Sequence, residues 1–467
     1  MEDNVAANWV AYVALLGWPL IAVVLYRVRP FAEATVWTIL GALLLLPAQA
    51  YIKWPMVPGI DKNSVAGLAA VVGCVLLAPR SRRPNAGFGL AGILAAAYVT
   101  TPVITSALNG DTILIGSRVL LGVGMYDGIS ALIGQAIAFS PFFIGRRFLS
   151  RSEDMETILR VLAVAGLFYS LLMLVEVRLS PQLSTWVYGY TPPFATEYRY
   201  GGYRPVVFMT NGLIAAFFLC TSVLAAVVLY RLRAAIVKLP AGLAASWLGA
   251  VLILCKSAGA LIYAIVGGVI LRWLKPIVQV RIAIFLVSIA ISYPILRAAD
   301  YFPDKQLVEF AATFNQERAD SLKFRFDQEE QLLARASQRF LFGWGRYGRS
   351  RVYEESGQDT SVTDGLWIVT LGQFGLAGFL AQFGLIVLPV FRSITALQRV
   401  GLPREKILLA SLALIVAITV VEQLPNASLS PWNWLLVGAL LGRTERILSA
   451  QPQTRTPKFG RPAIGLT

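Results

Sequence analysis

The residues best suited to chemistry fall in one polar stretch, between Gln316 and Asp364. Read as a helix over Gln316–Phe340 at about 100° per residue, the apolar side chains Leu322, Phe326, Leu333 and Phe340 share a sector. Arg318, Arg325 and Glu329 form a second stripe immediately beside it. Guanidinium groups at the edge of an apolar seam suit phosphate oxygens, which arginine grips with a planar fork and a charge it does not lose. The same pattern also suits an interfacial helix whose arginines reach phospholipid headgroups. The chain contains no histidine, so a base on this face must be a carboxylate. Asp364, in Ser361-Val362-Thr363-Asp364-Gly365-Leu366-Trp367, is the first candidate, followed by Glu329, Glu317 and Glu330. Asp364 opens an apolar run, where the helix dipole alone favours an acid. Phe342-Gly343-Trp344-Gly345 has one glycine more than a helix stop needs, which points to a tight turn or a close backbone approach.

A second group lies upstream, in Glu197-Tyr198-Arg199-Tyr200-Gly201-Gly202-Tyr203-Arg204-Pro205-Val206-Val207-Phe208. Pro205 reads as the first residue of a helix, which places Arg204 at its N-terminal end. A cation there opposes the helix dipole by roughly 0.3–1 kcal/mol, and pairing with an anion drawn to the same helix end would explain it; outward snorkelling is the alternative. Arg199 is a weaker candidate of the same kind. Asn211 is placed either to hydrogen-bond a substrate or to cap helix contacts. Lys256, in Cys255-Lys256-Ser257-Ala258-Gly259, sits between two short apolar runs, where it either faces the same cleft or is an ordinary loop lysine.

These residues need a membrane scaffold to position them. Of 467 residues 57% are hydrophobic and 14% charged, against roughly 45–50% and 25% in soluble domains. That supply supports about 12–13 crossings of about 20 residues each. The apolar runs are 9–26, 34–51, 64–79, 87–107, 126–145, 157–176, 206–230, 241–255, 258–273, 280–298, 365–391, 407–424 and 430–443. The chain therefore reads as an all-α, polytopic integral membrane protein with a large helical extracytoplasmic loop. No basic segment precedes the first run, so Trp9–Tyr26 is expected to be a retained span rather than a signal peptide.

The net charge of +15 is spread in clusters at every second gap: Arg27 and Arg29, Arg80 to Arg83, Arg146 to Arg151, Arg231 to Lys238, Arg272 to Arg281, Arg392 to Lys406, and the tail with Arg455, Lys458 and Arg461. One alternation makes them all cytoplasmic, so the charge does not imply nucleic acid. The chain divides into N-terminal spans 1–176, a first outer loop 177–205, central spans 206–298, the large outer loop 299–364, C-terminal spans 365–443 and a basic cytoplasmic tail 444–467. The lack of histidine excludes a Ser-His-Asp triad and an HExxH zinc helix. The three cysteines, Cys74, Cys220 and Cys255, lie far apart in apolar runs and read as buried hydrophobes. No metal site and no cofactor is expected. Polar residues gather on one face without an internal repeat, unlike the midplane sites of transporters.

In order along the chain come Gly-Gly-x-Arg-Pro-x-x-Phe entering a span, Ser-x-Gly two spans later, and a large loop ending Phe-Gly-x-Gly. A span with Leu-Gly-Gln-Phe-Gly-Leu-Ala-Gly follows. This order, over 197–390, resembles the bacterial O-antigen ligase/polymerase family. The resemblance implies a polytopic, metal-independent glycosyltransferase acting on undecaprenyl-diphosphate-linked sugars at the periplasmic face of the inner membrane. The diphosphate-binding arginines would be Arg204 and either Arg318 or Arg325. Where the ligases carry a histidine, eleven residues before Gly375, this chain has Asp364. That substitution is compatible with the polymerase branch and with polymerases of exopolysaccharide or capsule. The implied partners are the lipid-linked oligosaccharide as donor and acceptor, membrane lipid, and chain-length and export proteins. A ligase of the same fold and a lipid-linked oligosaccharide transporter are the alternatives.

Overall fold

The computed structural model describes residues 7–53, 58–79, 87–192, 194–199, 201–313 and 315–450, without the side chains of Ala195 and Arg318. Arg80, Arg82, Arg83, Arg455, Lys458 and Arg461 lie outside the described residues. The helices are α1 (Trp9–Val28), α2 (Phe31–Leu45), α3 (Lys62–Leu77), α4 (Gly89–Ala107), α5 (Met125–Phe148), α6 (Ser152–Leu179), α7 (Leu183–Tyr188), α8 (Phe194–Glu197) and α9 (Gly212–Arg231). They continue with α10 (Ala241–Leu254), α11 (Ala258–Trp273), α12 (Pro276–Ala298), α13 (Asp304–Ala312), α14 (Gln316–Ser337), α15 (Leu366–Arg399), α16 (Pro403–Glu422) and α17 (Pro431–Ser449). Strands are confined to short hairpins, β1 (Ile113–Ile115) with β2 (Arg118–Leu120), β3 (Tyr198–Arg199) with β4 (Gly202–Tyr203), and β5 (Ala235–Ile236) with β6 (Leu239–Pro240).

Every apolar run falls on a helix. Among the described residues, α1, α4, α5, α6, α9, α12 and α15 are the seven long and apolar enough to cross a membrane. Four others, α2, α3, α10 and α11, are apolar but shorter. At 1.5 Å per residue, the 14 residues of α10 span about 21 Å. The chain is thus an all-α, multi-pass membrane protein. α9 and α16 are buried on nearly every side and form its centre. α17 packs along α5 because Gly145, Gly438 and Gly442 lie against backbone of the opposite helix, where a Cβ would clash. The tail expected from 444 onward begins later, since α17 runs on to Ser449.

The expected helix over 316–340 ends at Ser337, and Phe340 belongs to a turn. The cause is a break in α15. Gly375 has φ 64°, a left-handed conformation that costs glycine nothing. In an unbroken helix, the Leu376 and Ala377 N–H groups would donate to the carbonyls of Gly372 and Gln373. Instead Leu376 donates to Phe340 O (2.8 Å) and Ala377 to Leu341 O (3.1 Å). The vacated carbonyls of Gly372 and Gln373 accept from the Trp344 and Gly345 amides, both at 2.9 Å. The loop is spliced into the helix ladder. Two of its carbonyls are met from the end of α4 and the residues just beyond it, where the Thr105 hydroxyl donates to Phe342 O (2.6 Å) and the Asn109 amide to Gly343 O (3.0 Å). A Cβ on Gly343 would lie 2.5 Å from Gln373 C, and one on Gly375 2.4 Å from Leu341 C. These contacts account for the surplus glycine.

Gly343→Ala and Gly375→Ala are each expected to destabilise by about 2 kcal/mol or more, since each adds left-handed strain to a backbone clash. Gly249→Ala in α10, with open space around it, is the control and leaves the melting temperature of purified protein unchanged or slightly raised.

Candidate functional site

The large loop between α12 and α15, together with the start of α15, borders a cavity of about 170 Å³, lined by Tyr293 of α12, by Leu322, Phe324, Arg325, Phe326, Gln328 and Glu329 of α14, and by Val362, Asp364, Gly365, Ile368, Leu424 and Pro425. α14 faces inward through Ala319, Phe326, Leu332 and Ala336, which are buried, and the Arg325/Glu329 stripe lies within that face. Gln328 fixes the opposite wall, its side-chain carbonyl accepting from the Val362 amide (2.8 Å). The Leu366 amide donates to Gln423 O (3.0 Å), tying the head of α15 to the end of α16.

Within this cavity the charged groups differ in how fully they are engaged. Arg325 Nη2 lies 3.9 Å from Asp364 Oδ2, beyond hydrogen-bond distance, and both side chains are nearly half exposed. Glu329 is turned toward α12: the Tyr293 hydroxyl donates to it, and Arg297 Nε lies 3.6 Å away. Arg297 in turn donates to Asp304 (3.0 Å) and to Phe326 O (3.0 Å), so it clamps α12 to both α13 and α14. Burial pushes the Glu329 carboxyl above the ordinary glutamate value, against the opposing effects of Tyr293 and Arg297. For Asp304 burial acts in the same direction, but the Lys305 amide and Arg297 outweigh it and hold the carboxyl below the usual range. Tyr293 and Arg297 escape sequence reading because they lie in α12, where an apolar run hides polar groups aimed inward.

The upstream candidates form a different cluster. Arg204 was expected at a helix N-terminus, but α9 begins at Gly212, and 205–210 is irregular. The reason is Glu176 of α6, fully buried, whose carboxylate accepts from the amides of Val206 and Val207 (2.7 Å each) and of Leu183 (2.9 Å). Val207 is held at φ 56°, far from helical. Arg204 is buried against Glu197, with Nε 3.1 Å from its carboxylate, and donates to Thr196 O (2.8 Å). Glu197 also accepts from the Gly212 amide (3.1 Å). Asn211 caps α9, its side-chain oxygen accepting from Ile214 (3.0 Å). Arg199 is exposed on the β3–β4 hairpin. Lys256, with φ 52°, occupies the α10–α11 turn, and its Nζ lies beside Gly202.

The structure therefore brings together Arg325, Glu329 and Asp364. Arg204, Arg199, Asn211 and Lys256 line neither this cavity nor the larger one described below. The side chain of Arg318 lies outside the described residues. No group of three Cys, Asp or Glu side chains is placed to hold a metal ion, among the described residues. Compared with protein-family profiles and with curated proteins, the sequence matches none.

The two clusters separate by stability. Arg204→Ala leaves Glu197 as an uncompensated buried charge, with an expected cost of about 3–5 kcal/mol. Arg325→Ala opens a half-exposed pair worth about 0–1 kcal/mol. Membrane abundance and melting temperature should fall sharply for the first variant and hold for the second.

Proposed function

We propose that this chain is a metal-independent membrane glycosyltransferase that polymerises undecaprenyl-diphosphate-linked oligosaccharide repeat units at the periplasmic face of the bacterial inner membrane. The supporting observation is the open Arg325–Asp364 pair at the mouth of a cavity whose inner wall carries Glu329. At about 170 Å³, the cavity is smaller than sites that enclose a whole ligand, which run to about 300–1,000 Å³. It suits the reacting end of a longer glycan that extends outward.

In this reading Asp364 takes the proton of an acceptor hydroxyl. The acceptor oxygen bonds to the anomeric carbon of the donor, the bond from that carbon to the diphosphate oxygen breaks, and the diphosphate leaves as an anion. Arg325 meets the charge as it develops, the point at which a fixed cation lowers a barrier. The side chain must be available to do so, and its 3.9 Å separation from Asp364 leaves its donors for an incoming oxygen. Arg204, expected from the resemblance to share this task, instead holds the first outer loop against α9. Glu329 positions rather than reacts, because its Oε2 already accepts from the Tyr293 hydroxyl and faces Arg297 Nε at 3.6 Å, and through these contacts it fixes the Arg325 turn of α14.

Purified protein given only lipid-linked repeat units tests this reading. A ladder of longer lipid-linked chains is expected, where a ligase would make none without its acceptor. Asp364→Asn and Arg325→Gln should each lower extension by about 10²-fold or more, with the protein still folded. A full ladder from either variant rejects the site.

Glu329 supplies a pH test. Its carboxyl lies above the ordinary value, so on acidification it takes up a proton and loses its hold on Arg297 sooner than an ordinary glutamate would. Extension should therefore fall on the acid side in the wild type. Glu329→Gln, neutral throughout, should have lower activity and lose the Glu329 part of that limb, keeping only the fall that protonation of the base Asp364 produces.

A further inference from the structure

A second cavity is larger than the one between α14 and the start of α15. It measures about 1,290 Å³ and opens between α3, α5, the β1–β2 hairpin and Tyr98 of α4. Beside it α3 and α5 meet at Gly67, where a Cβ would lie 2.7 Å from Ile137 O. The deep part is apolar, with Leu68 and Ile137, while the upper part presents Asn63, Ser64, Ser130 and Tyr126. The arginine that follows the spliced loop, Arg346, projects into it.

Arg346 is held in place but not neutralised. Its Nη2 donates to Gln135 Oε1 (3.1 Å), and Gln135 donates through its amide nitrogen to Tyr98 O. Its guanidinium also lies 5.6 Å from the centre of the Phe374 ring. Among the described residues no carboxylate pairs with it, although burial works against its charge. Lys53 and Arg118 add positive charge to the lining. The two acids in the lining are committed elsewhere: Asp61 accepts from the Ser64 amide (2.8 Å) and Asp127 from the Gly124 amide (3.0 Å). A half-buried guanidinium with free donors, hydroxyl and amide groups above it and an apolar floor below match a phosphate-bearing glycolipid. Arginine would take the phosphate, the polar wall the sugar hydroxyls, and the floor the first part of the hydrocarbon chain.

We propose that this cavity is a second, separate binding site for the headgroup of a phosphate-linked glycolipid, anchored by Arg346. The site is independent of the transfer chemistry assigned to Arg325 and Asp364, and binding here is measurable without turnover.

The full chain in phosphatidylcholine nanodiscs, with a photo-reactive benzoyl-phenylalanine at Ile133, provides the test, and the probe is farnesyl-diphosphate-linked N-acetylglucosamine. Saturable cross-linking is expected. Arg346→Gln should lower the yield at least tenfold, whereas Arg325→Gln should leave it within twofold. Gly134→Trp guards against a folding defect in Arg346→Gln. A Cβ at Gly134 meets only Pro58, at 3.7 Å, so the indole fills the cavity without removing charge, and it too should abolish cross-linking. Excess phosphatidylglycerol or free pyrophosphate should fail to compete. Undiminished cross-linking in Arg346→Gln and Gly134→Trp would overturn the proposal. So would loss in Arg325→Gln alone, or displacement by phosphatidylglycerol or pyrophosphate as effective as by the unlabelled glycolipid.

Discussion

A helix that breaks inside a membrane protein exposes amides and carbonyls that lipid cannot satisfy, and the way α15 meets this constraint governs the half of the molecule that carries the large loop. The four backbone groups freed around Gly375 are taken up by residues 340–345, and the carbonyls that 342 and 343 would otherwise strand are taken up by the end of α4 and the residues just beyond it. The connection uses main-chain groups, so it depends on side chains chiefly where none fits, at Gly343 and Gly375. It fixes the end of α14 against the head of α15. Those elements are the two walls of the smaller cavity, so Arg325 and Asp364 face each other because of hydrogen bonds made well away from either. The splice also sets Arg346 at the edge of the larger cavity.

Around this junction other charges serve the fold. Trp344 lies against two guanidiniums, Arg335 at 3.4 Å and Arg339 at 4.2 Å from its ring centre, and its indole N–H donates to Arg335 O (2.7 Å). Arg349 is fully buried; it donates to the carbonyls of Asp111 (2.8 Å) and Leu121 (3.0 Å) and pairs with the Asp111 carboxylate at 3.1 Å. Burial acts to raise the Asp111 carboxyl, yet the hydrogen bond from Arg339 and the two arginine charges outweigh it and hold it below the usual range. The first outer loop repeats the logic with opposite sign, for there a buried carboxylate, Glu176, gathers three amides of irregular backbone. Charge-assisted hydrogen bonds are stronger than neutral ones, which is what a loop needs when it has no helix or sheet to satisfy it.

The helices were legible in the sequence because a membrane span announces itself by length and apolarity alone. Every run named from composition falls on a helix. The inward stripe of Arg325 and Glu329 was legible for a similar reason, since a 3.6-residue period relates residues a turn apart. Phe342-Gly343-Trp344-Gly345 advertised a close approach by its spare glycine but not the partner, because backbone pairing leaves no side-chain signature. Arg204 misled for the same reason. Pro205 looks like a helix start, and nothing local shows that Glu176, 28 residues earlier, holds Val206 and Val207 out of helical geometry. Arg346 was hidden too: only the fold shows that it enters a cavity and that, among the described residues, no carboxylate pairs with it.

The arginines of the large loop can therefore be sorted by what already surrounds them. Arg297, Arg335, Arg339 and Arg349 each meet a carboxylate, carbonyls or an aromatic face at contact distance. Such a group stabilises the fold and has few donors left for anything else. Arg325 and Arg346 differ: one stands off its acid, and the other, with no carboxylate paired to it among the described residues, keeps one amide and a more distant ring face. Leaving donors unfilled beside a cavity forgoes stability that a nearby carboxylate could readily have supplied, as Asp111 supplies it to two arginines at once. An exposed pair forgoes little, but a half-buried guanidinium without a carboxylate forgoes more. The larger cavity therefore makes the stronger physical case for a bound anion, even though the smaller one holds the better arrangement for transferring a proton.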